Sequence, residues 1–451
     1  MPAYVALTIC VLCILYLYAS DINSKPNVSS ALWIPLLWML IIGSRPVSVW
    51  LGIGVEMGSI EDYAEGSPLD RNIFSVLIAS GLLVLFRRNI LWSQFIRLNT
   101  WIFMFVLYCG VSILWSDVPF VAAKRWIKGI GNLVMVLIVL TDRDPVEALK
   151  TLIRRWTYVL IPLSVVLIKY FPEQGRSYDR WTGEARFSGV GSDKNALGYL
   201  CLISGLFLAW SLLKVWRVKE LSGRKNETVF MALAFVMVCW LLYKANSATS
   251  LLVFMFGIVC LVLLGVSSVR KNLTLYVFVG GLTVAVLLSL VDVVGMGLDA
   301  LNRDVTLTGR TELWKDLVSA GTDPLIGVGY ESFWLGEEAK RLWKVYWWHP
   351  NQAHNGYLDM YLNLGAIGVL LLIGIIVAVY RHVKRSLASM FDEGSLRLTF
   401  LGAILLYALT EAAFKGLHPM WFVFLLLSME RPRSAEVVGS KQKNSTQGFP
   451  I

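Results

Sequence analysis

The segment from His354 to Gly368 places a protonatable side chain directly before an apolar helix. It reads HNGYLDMYLNLGAIG, with Gly365 and Gly368 three positions apart in the apolar part. An imidazole, whose ordinary pKa is about 6.5, is well suited to accept a hydroxyl proton near neutral pH. His354 is therefore a candidate general base, although a single interfacial histidine is also compatible with a structural hydrogen bond.

Two arginines are candidates for binding an anion. Arg186 and Arg310 lie in segments predicted to be exoplasmic, where the positive-inside rule gives them no topological role. A guanidinium stays charged and binds phosphate oxygens in a bidentate manner. The pair suits a pyrophosphate that arrives on a lipid. The alternative is a loop salt bridge with Glu184, Asp304 or Glu312.

The segment TGRTELWKDLVSAGTDP predicts a helix of about three turns around Arg310. Thr308 stands at its start, Gly321 follows its end, and Pro324 blocks its continuation. Arg310 falls in the first turn, where the backbone amides and the helix dipole favour an anion. Trp314 follows one turn later and could hold the guanidinium by stacking.

The segment GSDKNALG, residues 191–198, is another candidate for binding polar groups. Lys194 adds a cation and Asn195 an amide, although Asp193 and Asn195 could simply be helix caps. The segment lacks the strand context of a nucleotide-binding glycine loop, so nucleotide use is not predicted. Lys194, Asn195, Asn355 and Trp314 are therefore candidate substrate-binding residues.

Ionisable residues within apolar runs are costly and usually face the bundle interior or a polar cavity. Arg45 lies in such a run and is a further candidate for substrate binding. Glu411 and Lys415 are four positions apart and could form one neutralised pair. A proton-coupled carrier would use such groups, so they support the rival interpretation of a transporter.

The remaining histidines suggest structural roles. His382 lies among basic residues, and His418 precedes a proline in a tight turn. His349 precedes Pro350 in an aromatic stretch and is interpreted as an interface residue, with support of the candidate base as the alternative. A metal pair of His349 with His354 lacks a convincing third ligand. No metal and no cofactor are predicted.

Apolar runs dominate the chain of 451 residues, which is 56% hydrophobic with a mean hydropathy of +0.62. A bilayer core of roughly 30 Å needs about 20 apolar residues per helix, and backbone groups in lipid must bond within the segment. We therefore predict an all-α polytopic membrane bundle with about 12–13 transmembrane helices. The runs are 3–20, 31–54, 72–86, 101–116, 127–140, 153–171, 197–213, 228–243, 248–267, 273–292, 357–380, 398–414 and 417–429.

The net charge is +10, and the basic residues cluster in every second polar segment between the apolar runs. One of the intervening segments is acidic. This is positive-inside asymmetry, so no nucleic-acid partner is predicted. The predicted layout is a single integral membrane domain over 1–430, with exoplasmic loops 172–195 and 293–356. Residues 431–451 are predicted to be a disordered cytoplasmic tail. The sequence leaves open on which side of the membrane the N-terminus lies, because this depends on whether residues 31–54 cross the membrane.

The cysteines and the first apolar segment suggest no separate function. All six cysteines fall in apolar runs, so Cys10 and Cys13 are predicted to pack rather than bind metal or form disulfides. The first segment has no basic leader, so it is expected to be a retained helix. Inverted repeats, which many transporters carry, are not visible.

Three motifs in the same order resemble those of a known family. His354-Asn355 is followed after nine residues by Gly365-x-x-Gly368, and TGRTELW with PLIGVGYESF and ARFSGVGSDKNALG are similar to companion motifs. Together they resemble the bacterial O-antigen ligase and exopolysaccharide polymerase superfamily. The stretch SRPVSVW is more similar to the polymerase branch.

The resemblance implies an inner-membrane glycosyltransferase that is inverting and metal-independent. Its donor would be a glycan on undecaprenyl pyrophosphate at the periplasmic leaflet. Its acceptor would be a sugar hydroxyl, on another lipid-linked repeat unit or on lipid A–core. The family's histidine maps to His354, and its loop arginines map to Arg186 and Arg310. Membrane lipids and a chain-length regulator or export protein are the other expected partners.

The implied mechanism assigns a role to each of these three residues. The two arginines would neutralise the leaving pyrophosphate, and His354 would take the proton of the attacking hydroxyl. A polymerase and a ligase perform the same chemistry on the same donor and differ in the acceptor; of the two, a polymerase is favoured. A polysaccharide or solute transporter is the alternative from a different class.

Overall fold

A computed structural model describes residues 1–24, 27–53, 66–178, 183, 185–218, 225–273, 280, 308–346 and 348–431. This part of the chain is predominantly helical, at 76%, with very little strand, which confirms the predicted fold class. The helices are α1 (Ala3–Asn23), α2 (Trp33–Ile42), α3 (Val47–Trp50), α4 (Pro68–Phe86), α5 (Trp92–Leu98), α6 (Thr100–Val111), α7 (Pro119–Leu140), α8 (Pro145–Tyr170), α9 (Pro172–Gly175), α10 (Lys194–Val218), α11 (Lys225–Ala245), α12 (Ala248–Leu263), α13 (Ser267–Lys271), α14 (Thr308–Val318), α15 (Glu337–Val345), α16 (Gly356–Ser389), α17 (Phe391–Tyr407) and α18 (Pro419–Ser428).

Six helices in the described part of the chain are long and apolar enough to cross a membrane: α1, α4, α8, α10, α11 and α16. A seventh span results if α5 and the stretch Thr100–Trp115, which meet at 90°, form one bent crossing. The protein is therefore a multi-pass membrane protein. The predicted number of about 12–13 helices is higher, because several apolar runs fold into shorter helices such as α12 and α18. The run 273–292 lies almost wholly outside the described residues.

Contacts between α1 and α8 fix the position of the N-terminus. The two helices run antiparallel: Tyr4 packs edge-to-face on Phe171, and Asp21 pairs with Arg155 at 2.7 Å. The N-terminus therefore lies at the same end of the bundle as the 172–195 segment, which the charge pattern alone had left open. We call this end the loop end.

The 172–195 segment contains a small hairpin that was not predicted. Strand β1 (Arg176–Tyr178) pairs antiparallel with β2 (Ala185–Phe187), with Ser177 opposite Arg186. Each strand has three residues, which is too short for a period-of-two pattern to be recognised in the sequence.

The described part of the predicted 293–356 loop forms a small packed unit. The predicted helix is confirmed as α14, and residues 293–307 lie outside the described residues, as do 432–451 of the predicted tail. The unit has its own hydrophobic cluster next to the main core, which includes Leu313, Leu317, Phe333, Trp334, Ala339, Leu342, Ala353 and Leu362.

The helix α16 is broken at Gly365, which has φ 61° and ψ −164°. Beyond the break, Ala366 N donates to Pro324 O at 2.9 Å and Ile367 N donates to Leu325 O at 3.1 Å. Backbone amides that a regular helix would satisfy internally are thus bonded to the loop after α14. A Cβ at Gly365 would lie 2.3 Å from the Leu325 backbone, so this contact requires glycine.

Candidate functional site

The turn before α16 holds His354 in a left-handed backbone conformation, with φ 51°. The backbone amide and the backbone carbonyl of the preceding residue, Ala353, are both hydrogen-bonded. Ala353 N donates to Asp359 Oδ1 at 3.1 Å, and Ala353 O accepts from Trp314 Nε1 at 2.7 Å. Because non-glycine residues rarely adopt this conformation, such anchoring is needed to keep the imidazole in one place.

Asn355 anchors the other side of His354. Its side-chain oxygen accepts from two amides in the first turn of α16, at 3.0 and 3.1 Å, and so caps the helix. The next residue, Gly356, donates its amide to Ala408 O at 2.7 Å. These contacts give Asn355 a positioning role, and its direct contact with substrate stays a prediction.

The tertiary structure brings Glu411 against His354. His354 Nδ1 lies 3.1 Å from Glu411 Oε2, and Asn195 Nδ2 donates to Glu411 Oε1 at 3.2 Å. The carboxylate is buried, whereas the imidazole is 22% exposed. A carboxylate in this position favours the tautomer with the proton on Nδ1 and stabilises the imidazolium. Nε2 is then the nitrogen that can take a proton from a substrate.

Glu411 and Lys415 join this site in a way that the sequence did not indicate. Lys415 Nζ donates to Gln352 Oε1 at 3.3 Å, and the Gln352 amide lies 3.4 Å from His354 Nδ1. Both ionisable residues therefore lie at the histidine site, where they can act on the imidazole as well as on each other. The only sequence signal was a carboxylate within an apolar run.

The GSDKNALG segment supplies the start of α10. Asp193 Oδ1 accepts from Asn195 N at 2.8 Å and from Ala196 N at 2.9 Å, which is the capping role considered from the sequence. The side chain of Asn195 is thereby free to turn towards Glu411. Lys194 is half-buried at the first position of this 25-residue helix, where backbone amides favour an anion.

Arg45 supports the segment that leads to α10. Its guanidinium donates to Gly191 O at 2.8 Å, to Ser188 Oγ at 3.2 Å and to Gly189 O at 3.3 Å. It also stacks on Trp50, 5.4 Å from the ring centroid. These contacts position the backbone before Lys194, and binding of substrate by Arg45 stays a prediction.

The two predicted catalytic arginines lie on different elements. Arg186 is exposed on β2, which leads through residues 188–193 to α10. Arg310 lies in the first turn of α14, one turn before Trp314. Since the Trp314 indole bonds to Ala353, α14 is held against the turn that carries His354. The stacking predicted between Trp314 and Arg310 stays a prediction.

A cavity of about 820 Å³ opens next to this histidine site. Lys415 and Asp359, which contact neighbours of His354, line one side. Four cations from α4 and α7 line it as well, and none of them was singled out from the sequence. The lining includes Arg71, Lys124, Arg125, Lys128, Tyr199, Tyr330, Glu331, Trp334, Trp343, His349, Asp359, Asn363, Phe414, Lys415 and His418.

The other histidines have separate surroundings. His418 Nδ1 accepts from Met420 N at 3.1 Å and caps α18, and burial lowers the pKa of His418 to about 3, so it is a neutral structural acceptor. His382 lies beside Glu430. The His349 ring lies 5.6 Å from the Trp343 ring, between centroids, and faces the cavity.

Residues 232–373 match the family model described as O-Antigen ligase. Over 319 residues, the chain is 30% identical to the exopolysaccharide production protein ExoQ of Rhizobium meliloti (strain 1021), which covers 68% of this chain and 70% of that protein. The chain belongs to the O-antigen ligase/polymerase superfamily. It is therefore a membrane enzyme of the ligase or polymerase type. The family range includes His354, Arg310 and the Gly365 break but ends before Glu411.

Proposed function

We propose that this superfamily member transfers a glycan from undecaprenyl pyrophosphate to a sugar hydroxyl, and acts as a polymerase of exopolysaccharide or O-antigen repeat units. The reaction takes place at the periplasmic face of the bacterial inner membrane. The observation that carries the proposal is the 3.1 Å contact between His354 Nδ1 and Glu411 Oε2 at the loop end. It provides an oriented general base in a chain whose family uses glycan substrates.

The proposed chemistry is a single displacement at the anomeric carbon of the donor. The acceptor oxygen forms the new glycosidic bond while the bond between the anomeric carbon and the pyrophosphate oxygen breaks. His354 Nε2 takes the proton of the acceptor hydroxyl, and the Glu411 carboxylate stabilises the resulting imidazolium. Attack from the face opposite the leaving group inverts the configuration.

The leaving pyrophosphate gains negative charge as the bond breaks. In the proposal, Arg186 and Arg310 bind its oxygens, with Lys194 as an additional cation at the start of α10. These permanent positive charges take the role that a metal ion has in many phosphate sites, which supports a metal-independent reaction. Because the charge develops in the transition state, loss of either arginine should lower kcat more than substrate affinity.

The nature of the acceptor separates a polymerase from a ligase. The similarity to an exopolysaccharide production protein extends over 68% of the chain and supports a polymerase, whose acceptor is another repeat unit. The description of the matched family model favours the alternative, a ligase that transfers to lipid A–core. A transporter has less support, because Glu411 and Lys415 are engaged at the histidine site.

The test is the glycan profile of a strain that lacks the gene, complemented with wild type or with His354→Ala. We expect single repeat units in the deletion strain and restored polymer with wild type. His354→Ala should reach the membrane in normal amount but restore no polymer. Undecaprenyl-linked polymer that is absent from lipid A–core would show a ligase instead, and normal polymer with His354→Ala would remove the histidine from the mechanism.

A further inference from the structure

The cations at the cavity of about 820 Å³ form a group separate from the predicted catalytic arginines. Lys124, Arg125 and Lys128 lie in the first three turns of α7, and Arg71 lies at the start of α4. Lys124 and Lys128 are four positions apart and so share one helix face. We call these four residues the basic wall.

Within the described residues, no member of the basic wall forms a salt bridge, unlike several other basic residues of this protein. Within the part of the chain that the structure describes, no carboxylate lies within 4.0 Å of any of its four cationic groups. By contrast, Arg88 pairs with Asp142 at 3.0 Å, and Arg397 pairs with Glu393 at 2.7 Å.

The direct contacts of the basic wall within the described residues are with neutral groups, while the carboxylates of Asp70 and Glu331 lie near enough to attract Lys128 electrostatically. Arg125 Nη1 donates to the backbone oxygen of Glu331 at 2.6 Å, and Lys124 lies 4.3 Å from the centroid of the Phe120 ring. Lys128 lies 5.9 Å from the Phe74 ring centroid. The carboxylate of Glu331 is itself engaged, since its Oε1 accepts from Gly416 N at 2.6 Å.

Several like charges gathered on one side of a half-enclosed cavity repel one another and lose part of their hydration. An anionic ligand would relieve both effects. The same cavity is lined by Tyr330, Trp334 and Trp343, whose rings could cover the apolar faces of sugar rings. Cations together with aromatic rings are therefore a surface suited to an acidic glycan.

We propose that the basic wall binds an anionic group of the acceptor glycan, either a carboxylate on a sugar or the diphosphate of its lipid carrier. The proposal rests on the proposed function, which requires an acceptor next to His354. Lys415 lines the cavity and bonds to Gln352, whose amide lies 3.4 Å from His354 Nδ1. The proposal therefore places the reacting end of the acceptor where the cavity approaches the histidine site. The donor pyrophosphate is assigned to Arg186 and Arg310, which lie on other elements.

The experiment measures binding rather than transfer, using the full chain in nanodiscs of neutral phosphatidylcholine. The probes are tetragalacturonate, neutral maltotetraose and inorganic pyrophosphate, titrated at low and high salt. The test variant is Lys124→Gln with Lys128→Gln. The control is Lys340→Gln with Arg341→Gln, which removes the same charge from α15, where both residues pair with acidic neighbours. Thermal unfolding of each variant verifies that it is folded.

We expect wild type and the control to bind tetragalacturonate more tightly than maltotetraose, with an affinity that falls as salt increases. The test variant should bind tetragalacturonate about tenfold more weakly. Displacement by pyrophosphate at similar concentration would identify the diphosphate as the anion, and failure to displace would identify the sugar carboxylate.

Two results would overturn the proposal: equal binding of the acidic and neutral tetrasaccharides by wild type, or unchanged tetragalacturonate binding by the folded test variant. Neither result depends on glycan transfer. If His354→Ala binds tetragalacturonate normally but produces no polymer, both the binding proposal and the proposed mechanism are supported. If that variant produces normal polymer, the proposed mechanism is contradicted and the binding proposal is not.

Discussion

His354 Nδ1 lies 3.1 Å from Glu411 Oε2, although the two residues are 57 positions apart in the sequence. The contact joins the turn before α16 to the turn between α17 and α18. Asn195, from the start of α10, holds the other oxygen of the same carboxylate at 3.2 Å. Three separate parts of the chain thus meet around one imidazole.

Replacing Glu411 by glutamine tests whether the carboxylate charge matters. The amide keeps the size of the side chain but cannot stabilise an imidazolium, so we expect polymer formation to fall by about 100-fold. The measurement is the transfer rate of purified enzyme with a lipid-linked donor. Glu337→Gln, on the exposed surface of α15, is the control and should be near wild type. Unchanged activity of Glu411→Gln would show that the pair is structural.

Replacing Arg310 by lysine tests bidentate recognition of the pyrophosphate. Lysine keeps the charge but loses the planar fork, so we expect kcat to fall by about 100-fold with a smaller change in KM. Arg341→Lys, at a side chain that is 68% exposed, is the matched control. Near-normal glycan output from Arg310→Lys would argue for a point charge and against a bidentate contact.

Replacing Gly365 by alanine should destabilise the protein. The conformation at φ 61° and ψ −164° is essentially restricted to glycine and costs an L-residue about 1–3 kcal/mol, and the new Cβ would overlap the Leu325 backbone. The check is the thermal unfolding temperature in detergent, together with membrane abundance. Gly321→Ala, where a Cβ meets nothing within 4 Å, should behave like wild type. Equal unfolding temperatures for the two variants would show that the break in α16 can relax.

Replacing Trp314 by phenylalanine removes one anchor of the His354 turn. The Ala353 carbonyl loses its donor at 2.7 Å, while a smaller aromatic ring remains in the same place. A neutral hydrogen bond contributes about 1 kcal/mol, so we expect about a fivefold fall in kcat with little change in KM. Trp348→Phe, at an exposed position, is the control. A change in KM alone would indicate that Trp314 contacts substrate rather than positions the turn.

The sequence could indicate residues whose role depends on local pattern. The motif around His354, the helix start before Arg310 and the cap at Asp193 all follow from short spacings, and the structure bears out α14 and the cap. The sequence identified Glu411 as a charged residue in an apolar run, but it did not indicate that Glu411 contacts His354. The basic wall was missed because Lys124, Arg125 and Lys128 stand at the edge of an apolar run, and no local pattern shows that this helix face lines a cavity.

By itself, the sequence determined the helical membrane class and the superfamily, because lipid forces each apolar run to satisfy its own backbone and because motif spacing is local. Only the tertiary structure decided that Glu411 and Asn195 meet His354, that Arg45 holds a loop, and that α7 turns its cations towards a cavity. Such contacts depend on how helices that are distant along the chain pack against each other, and apolar runs of similar composition do not encode their neighbours in any short pattern.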